Sequence, residues 1–378
     1  MPGPRRLILN PTLQLVGAVA EVSRRGVGRA RVELSDLRAV RYLLWAATGE
    51  GTRSRLSGAA QRELRRAGIL IPPAATPRDV WLDARVDLAP ASPQDAAGRP
   101  AASCVLHRGP GVPARVQRRA ATAEPFLPDE SILWVARPGA RLGLPYTLTP
   151  RLARIVAARR GRATLPPHAA APLRRIGALD DREGAARLRA AWRDRERAWR
   201  RDLRTRGHVV LRGLFEPTFL HAMRAYYHAI EREGYLLGGD ARRRGAPLLY
   251  DEPLTSFLNA LLAPLVARLT DERPRPTFSY LRVYDPGAVL RPHRDRPSCR
   301  WNVDLVVGGE PAPSRQNAWP LRIEGRGGVH SVRLGLGDGL LYRGERVRHW
   351  RRPQPRGRTT VLASLHYGRP ARHSSSVS

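Results

Sequence analysis

The chain has 378 residues, 42 % of them hydrophobic, and a formal net charge of +33, a length that exceeds one typical domain. All 66 basic residues are arginine and lysine is absent, a pattern that reads as coding bias from a GC-rich genome and not as a phosphate-coating surface, where lysine normally shares the task. Two cysteines, Cys104 and Cys299, exclude a disulfide framework and a Cys-x-x-Cys metal site and suit a reducing cytoplasm.

The arginines are scattered, as at Arg159-Arg160, Arg174-Arg175, Arg200-Arg201, Arg242-Arg243-Arg244 and Arg351-Arg352. A nucleic-acid partner is therefore disfavoured, while an anionic substrate steered by the overall field is easier to defend. The first residues lead into a short apolar run broken by Asn10 and Pro11, without a cleavage pattern. No uninterrupted apolar stretch reaches transmembrane length, so a cytoplasmic protein without a membrane partner is expected.

Two similar units occupy the N-terminal half. Residues 32–71 run through a helix with Leu37, Val40, Leu43 and Leu44, a break at Gly49-Glu50-Gly51-Thr52 and a second helix closing Leu64-Arg65-Arg66-Ala67-Gly68-Ile69-Leu70. Residues 144–179 repeat the theme and close Leu173-Arg174-Arg175-Ile176-Gly177-Ala178-Leu179, 109 positions on, which suggests duplication. A helix ending at Gly before an apolar stretch predicts a small, mainly helical, winged-helix-like module in each. Modules are thus expected at 1–88 and 126–182, joined by a flexible Ala/Pro/Arg-rich connection over 89–125. The tail Ser374–Ser378 is expected to be disordered.

The C-terminal unit, 183–378, opens on a polar helix from Glu183 to Arg204 built around Leu188, Trp192, Trp199 and Leu203. A strand Val209–Leu211 follows, then a helix Thr218–Glu233 with Leu220, Met223, Tyr226, Tyr227 and Ile230 on one face, and an apolar helix over Ser256–Leu269. Short strands punctuated by Gly and Pro come next: Trp301–Val307, Leu321–Ile323, Val329–Val332, Leu340–Tyr342 and Val361–Tyr367. The fold class is α+β, with a double-sheet jelly roll behind the two modules.

Within this region His293 and Asp295 stand two apart. On a strand they point the same way, with Arg294 on the opposite face. A third ligand must return on a neighbouring strand, and His349 lies 56 positions on. Two imidazoles and one carboxylate can take one face of an octahedral ferrous ion and leave three positions open. His330 and His366 are rivals for the third place, His366 lying inside an apolar strand with no turn before it. Cys299 and Trp301 follow the ligand strand and stand either as pocket lining or as filler.

The ordered pieces Tyr284-x-x-Gly287, His293-x-Asp295, Gly337-Asp338, His349 and Arg358 resemble the iron(II)- and 2-oxoglutarate-dependent dioxygenases, nearest the prolyl-hydroxylase-like and phytanoyl-hydroxylase-like branch. The resemblance covers about the last half of the chain. It implies a double-stranded β-helix buttressed by helices, with Fe(II) held by His293, Asp295 and His349. It also implies 2-oxoglutarate and O2 as co-substrates and Arg358 as the bidentate partner of the distal carboxylate. Arg358 stands nine residues after His349, one short of the commonest spacing, which leaves Arg356 as a competitor. Tyr284 either donates to the same co-substrate or packs in the core, and Arg282, two residues earlier, is a further candidate for co-substrate or substrate contact. Halogenating members lack the Asp295 carboxylate, so the implied reaction is hydroxylation of a small molecule or peptide.

The N-terminal units are similar, on pattern alone, to leader-peptide-binding domains of peptide-modifying enzymes, which would make a leader peptide a partner. Padding or dimerisation stands beside that reading. A non-catalytic peptide- or nucleic-acid-binding protein with a jelly-roll scaffold is the alternative for the whole chain.

Overall fold

A computed structural model describes residues 182–232, 236 and 248–368, most of 80–108 and 126–180, and a few shorter stretches before residue 80. Those stretches hold a strand pair, Ile8–Leu9 (β1) with Leu70–Ile71 (β5), and a sheet of Gln14–Val16 (β2), Val19–Arg24 (β3) and Gly28–Glu33 (β4). They also hold a helix, Gly58–Arg66 (α1). Of the helix read through Leu37, Val40, Leu43 and Leu44, only Leu43 is described, and it is buried. The break at Gly49–Thr52 and the tail Ser374–Ser378 lie outside the described residues.

The second unit differs from a mainly helical module. It opens on the hairpin Ser131–Ala136 (β8) and Gly143–Leu148 (β9), and the helices Pro150–Ala158 (α2) and Pro167–Arg175 (α3) follow. Arg85–Val86 (β6) joins β9 in parallel and Val105–Arg108 (β7) pairs with β8, making one four-stranded sheet. That sheet draws strands from both sides of the stretch read as a flexible connection, and from within it. Gly98 and Pro100 are further tied by bridges to Leu165 and Leu179. Ala/Pro/Arg-rich composition did not forbid order here, because the apolar run Cys104–Leu106 packs against the core formed by the sheet.

The C-terminal unit begins with Arg182–Arg206 (α4), His208–Leu211 (β10), Pro217–Arg232 (α5), Leu248–Tyr250 (β11) and Pro253–Thr270 (α6). Eight strands follow: Arg275–Tyr284 (β12), Leu290–His293 (β13), Trp301–Gly308 (β14), Leu321–Gly325 (β15), Gly328–Val332 (β16), Gly339–Tyr342 (β17), His349–Arg351 (β18) and Thr360–Gly368 (β19). They form two antiparallel sheets, ordered β10-β17-β14-β19-β12-β11 and β13-β18-β15-β16. From β12 onward the chain passes back and forth between the two, which is the winding of a double-sheet jelly roll.

Side-chain alternation builds both faces. Val303, Leu305 and Val307 of β14, Leu341 of β17, and Val361, Ala363 and Leu365 of β19 join the core that also holds Met223, Tyr227, Phe257 and Leu262 of the helices. Their neighbours Val306, Leu340, Tyr342 and Leu362 face the other way, onto Leu290, Leu321, Ile323 and Val332 of the smaller sheet. A strand covered on both faces must be apolar throughout except where a site needs polar groups, and all eight residues of β14 are buried. Its two buried polar side chains, Asn302 and Asp304, fall on the inward face.

By length and composition α6 could cross a membrane, although Ser256, Asn259 and Arg268 interrupt its apolar run. Its surface is spent inside the protein, with Leu254, Phe257, Leu258, Leu262 and Val266 buried. The Glu252 carboxylate caps its N-terminus by accepting from the Leu254 and Thr255 amides at 2.9 and 2.8 Å. Tyr226 of α5 donates to the same carboxylate, so one buried acceptor ties the two helices. Burial pushes the Glu252 carboxyl up, against those hydrogen bonds.

Candidate metal centre

The ligand strand starts from a turn. Gly287 has φ +82°, a conformation that costs glycine little, and its amide donates to the Gln354 carbonyl at 2.8 Å. β13 then runs to His293 and stops. Asp295 lies just past the strand end, where the sequence reading had one strand carry both ligands. Its amide donates to the Gly344 carbonyl at 2.9 Å, which takes over the positioning that a longer strand would have supplied. Gly344 also had no sequence signal: a Cβ there would collide with the Asp295 carboxylate, 2.5 Å away, and with the Asn302 amide.

The register of β13 with β18 sets His293 directly opposite His349. His293, Asp295 and His349 each offer an atom within 4.8 Å of the others, and no other cluster of this kind occurs among the described residues. Asp295 Oδ1 is 3.4 Å from His293 Nε2, and its Oδ2 is 3.7 Å from His349 Nε2. Nδ1 of His293 sits 2.8 Å from the Arg291 carbonyl and Nδ1 of His349 sits 3.1 Å from the Val347 carbonyl. A carbonyl only accepts, so each Nδ1 carries the proton and each Nε2 presents its lone pair inward. This is the donor chemistry of a two-histidine, one-carboxylate metal face.

Electrostatics keep the donors in their coordinating forms. Burial alone would raise the Asp295 carboxyl, but the adjoining His293 ring and the fields of His349 and His366 outweigh it and hold the group below the usual carboxylate range. Burial lowers His349 against the opposing field of Asp295, favouring the neutral ring.

Around the triad lies a polar network that the sequence reading missed. Asn302 donates to Asp295 Oδ2 while its own oxygen meets His366 Nδ1 at 2.8 Å. Tyr342 donates to Asp304 at 3.1 Å and stands 3.3 Å from His349 Nε2; Ser364 donates to the other Asp304 oxygen at 2.8 Å. The pairs are cross-strand neighbours, Asn302 opposite both His366 and Tyr342, and Asp304 opposite Ser364. His366, a rival ligand in the sequence, thus supports the carboxylate indirectly. We expect Asn302→Ala to weaken divalent-metal binding by about 10- to 100-fold in a calorimetric titration with Mn(II). An unchanged affinity would show that Asn302 does not hold the ligand.

The remaining candidates separate. Tyr284 lines the pocket beside the triad, its ring 5.1 Å from that of Trp319. Arg282 is buried with its guanidinium 5.1 Å from the Tyr280 ring, outside the pocket lining. Arg358 donates to the Asn317 carbonyl and is likewise outside the lining. Neither Cys299 nor Trp301 lines the pocket; the Trp301 indole bonds Glu272 at 3.0 Å. The His330 ring lies 5.0 Å from that of His208 and is not part of the lining of the pocket beside the triad. The arginine in the pocket is Arg351, two residues after His349 on β18. Strand alternation carried that signal, since residues i and i+2 share a face.

The fold and site together define a double-sheet jelly roll with a two-histidine, one-carboxylate cluster between its sheets. Neither a protein-family model nor a curated protein matches the chain. Among solved structures, a prolyl-4-hydroxylase of Pseudomonas putida is similar at 20 % identity and a TM-score of 0.40, covering 46 % of this chain and 99 % of that one. SnoN, a non-heme alpha ketoglutarate dependent epimerase from nogalamycin biosynthesis, is similar at 12 % identity and 0.40, covering 47 % and 82 %. HygX of Streptomyces hygroscopicus, solved with nickel, 2-oxoglutarate and hygromycin B, is similar at 16 % and 0.38, covering 46 % and 88 %. Likenesses of this strength do not assign an activity.

Proposed function

We propose that the C-terminal unit is an iron(II)- and 2-oxoglutarate-dependent oxygenase that hydroxylates a small-molecule or peptide substrate. The observation that carries this reading is the convergence of His293, Asp295 and His349 within 4.8 Å, between two sheets, with both imidazole Nε2 atoms turned inward. Bound there, ferrous iron would supply oxygen activation coupled to oxidative decarboxylation of the 2-oxo acid.

The chain's own groups do the rest. His293 and His349 are fixed in tautomer by backbone carbonyls, and Asn302 orients the carboxylate of Asp295. When His349 Nε2 is engaged, the Tyr342 proton goes to Asp304, so no buried hydroxyl loses its acceptor. Leu290 and Leu362 give the pocket an apolar wall against bulk water.

Anaerobic protein given ferrous iron is expected to bind one equivalent per chain. On admission of oxygen it should release succinate from 2-oxoglutarate even without substrate, at a slow uncoupled rate. Protein that binds iron and yields no succinate with any offered substrate would overturn the reading. The gain of one oxygen in candidate compounds, followed by mass spectrometry, would then identify the target.

A further inference from the structure

Arg351 is the most deeply buried cation among the described residues: it is 2 % exposed and its side chain is among the largest fully enclosed ones. The guanidinium lies 4.8 Å from the Trp319 ring centroid and spends one nitrogen, Nη1, on the Trp319 carbonyl. Nε and Nη2 have no partner among the described residues. Asp304 acts on Arg351 through space, but its oxygens are already taken by Tyr342 and Ser364. An arginine does not shed its proton under ordinary conditions, so a buried guanidinium with an unpaired N–H edge calls for an anion.

The position of that edge says which anion. Arg351 follows His349 by two residues on β18 and shares its face, so it lines the same pocket as Asp295 and His349. Nε and Nη2 form one side of the planar fork that pairs with both oxygens of a carboxylate. Arg358, nine residues after His349, is turned to the Asn317 carbonyl instead.

We infer that Arg351, and not Arg358, receives the distal carboxylate of a dicarboxylic 2-oxo acid bound at the metal. Tyr284, which lines the same pocket and packs on Trp319, closes the far side of that subsite. The inference rests on the proposed oxygenase reading, and its test is arranged so that the two fail separately.

The probes are 2-oxoglutarate and 2-oxobutyrate, which lacks the distal carboxylate, added to full-length protein loaded with Mn(II) so that no turnover occurs. Binding is read by calorimetry and by the fluorescence of Trp319, isolated by difference against Trp319→Phe. The wild-type protein is expected to prefer 2-oxoglutarate by about 100-fold, the range that a desolvated bidentate charge pair supports. Arg351→Met should erase that preference while leaving Mn(II) affinity unchanged, and Arg351→Lys should restore part of it. Arg358→Met should keep it.

Without ligand, Arg351→Met should melt no lower than wild type, because it removes an uncompensated buried charge; a purely structural arginine would instead destabilise on removal. The inference is overturned if Arg358→Met loses the preference and Arg351→Met retains it, with the oxygenase reading intact. If wild-type protein binds Mn(II) but neither oxo acid, both fall. Should Arg351→Met not fold, Arg351→Lys decides in its place: a weakened preference for 2-oxoglutarate is expected, and an unchanged one overturns the inference.

Discussion

Asp295→Asn is expected to abolish iron binding and 2-oxoglutarate turnover while leaving the fold intact. The carboxylate is the only anionic member of the triad, and it holds the centre of the cluster through contacts of 3.4 Å to His293 and 3.7 Å to His349. Asparagine keeps the shape and loses the charge. The loss of metal affinity should exceed the roughly 10- to 100-fold that removal of a supporting residue costs, and succinate formation should fall to background. Asp295 belongs to neither apolar cluster, so the core should stay packed. Its carboxyl is held below the usual range by the surrounding groups, so metal-free Asp295→Asn should show a lower denaturant midpoint at pH 7 and a difference that shrinks as pH falls through the carboxylate range. His349→Ala should abolish binding equally but at a greater cost in stability, since it empties a buried position. Retained metal binding and succinate release in Asp295→Asn would remove the basis for the oxygenase reading.

A second large effect concerns the helix layer. Phe257 of α6 meets Phe126 at 5.3 Å and Trp134 of β8 at 6.0 Å, and Phe219 of α5 meets Tyr146 of β9 at 6.4 Å. These rings belong to one continuous core that runs from the four-stranded sheet through the helices to the large sheet of the jelly roll. Phe257→Ala should therefore cost about 3–5 kcal/mol, measured by denaturant titration, with a single cooperative transition for both regions. A chain beginning at residue 182 should expose that aromatic face and either aggregate or bind a hydrophobic dye. If the shortened chain unfolds reversibly with wild-type stability, the second module and the jelly roll are independent domains, as the sequence boundaries had it.

Much of the jelly roll was legible because its signals are local. Strands of four to nine residues alternate or run apolar between Gly and Pro turns, and those runs fall where β14, β15, β16, β17 and β19 stand. The helix face of Met223, Tyr226, Tyr227 and Ile230 was equally plain, and all four are buried. The second module was misread for the complementary reason. Its hairpin Ser131–Leu148 has no sharp period, and its sheet needs strands from Arg85 and Val105 that are too short to declare themselves.

The sequence by itself put His293 and Asp295 two residues apart, and the family resemblance singled out His349, which strand register sets opposite His293. Which groups surround the triad was decided only by tertiary structure. Asn302, Asp304, Tyr342, Ser364 and His366 meet through strand register, a property of non-local pairing that slips by a whole face for each residue of error. Strand register likewise puts Arg351, and not Arg358, in the pocket lining. Arg358 lies between a turn and β19 and finds a backbone carbonyl, whereas Arg351 is carried inward by the pleat that also carries His349, and the interior offers its remaining N–H groups no partner among the described residues.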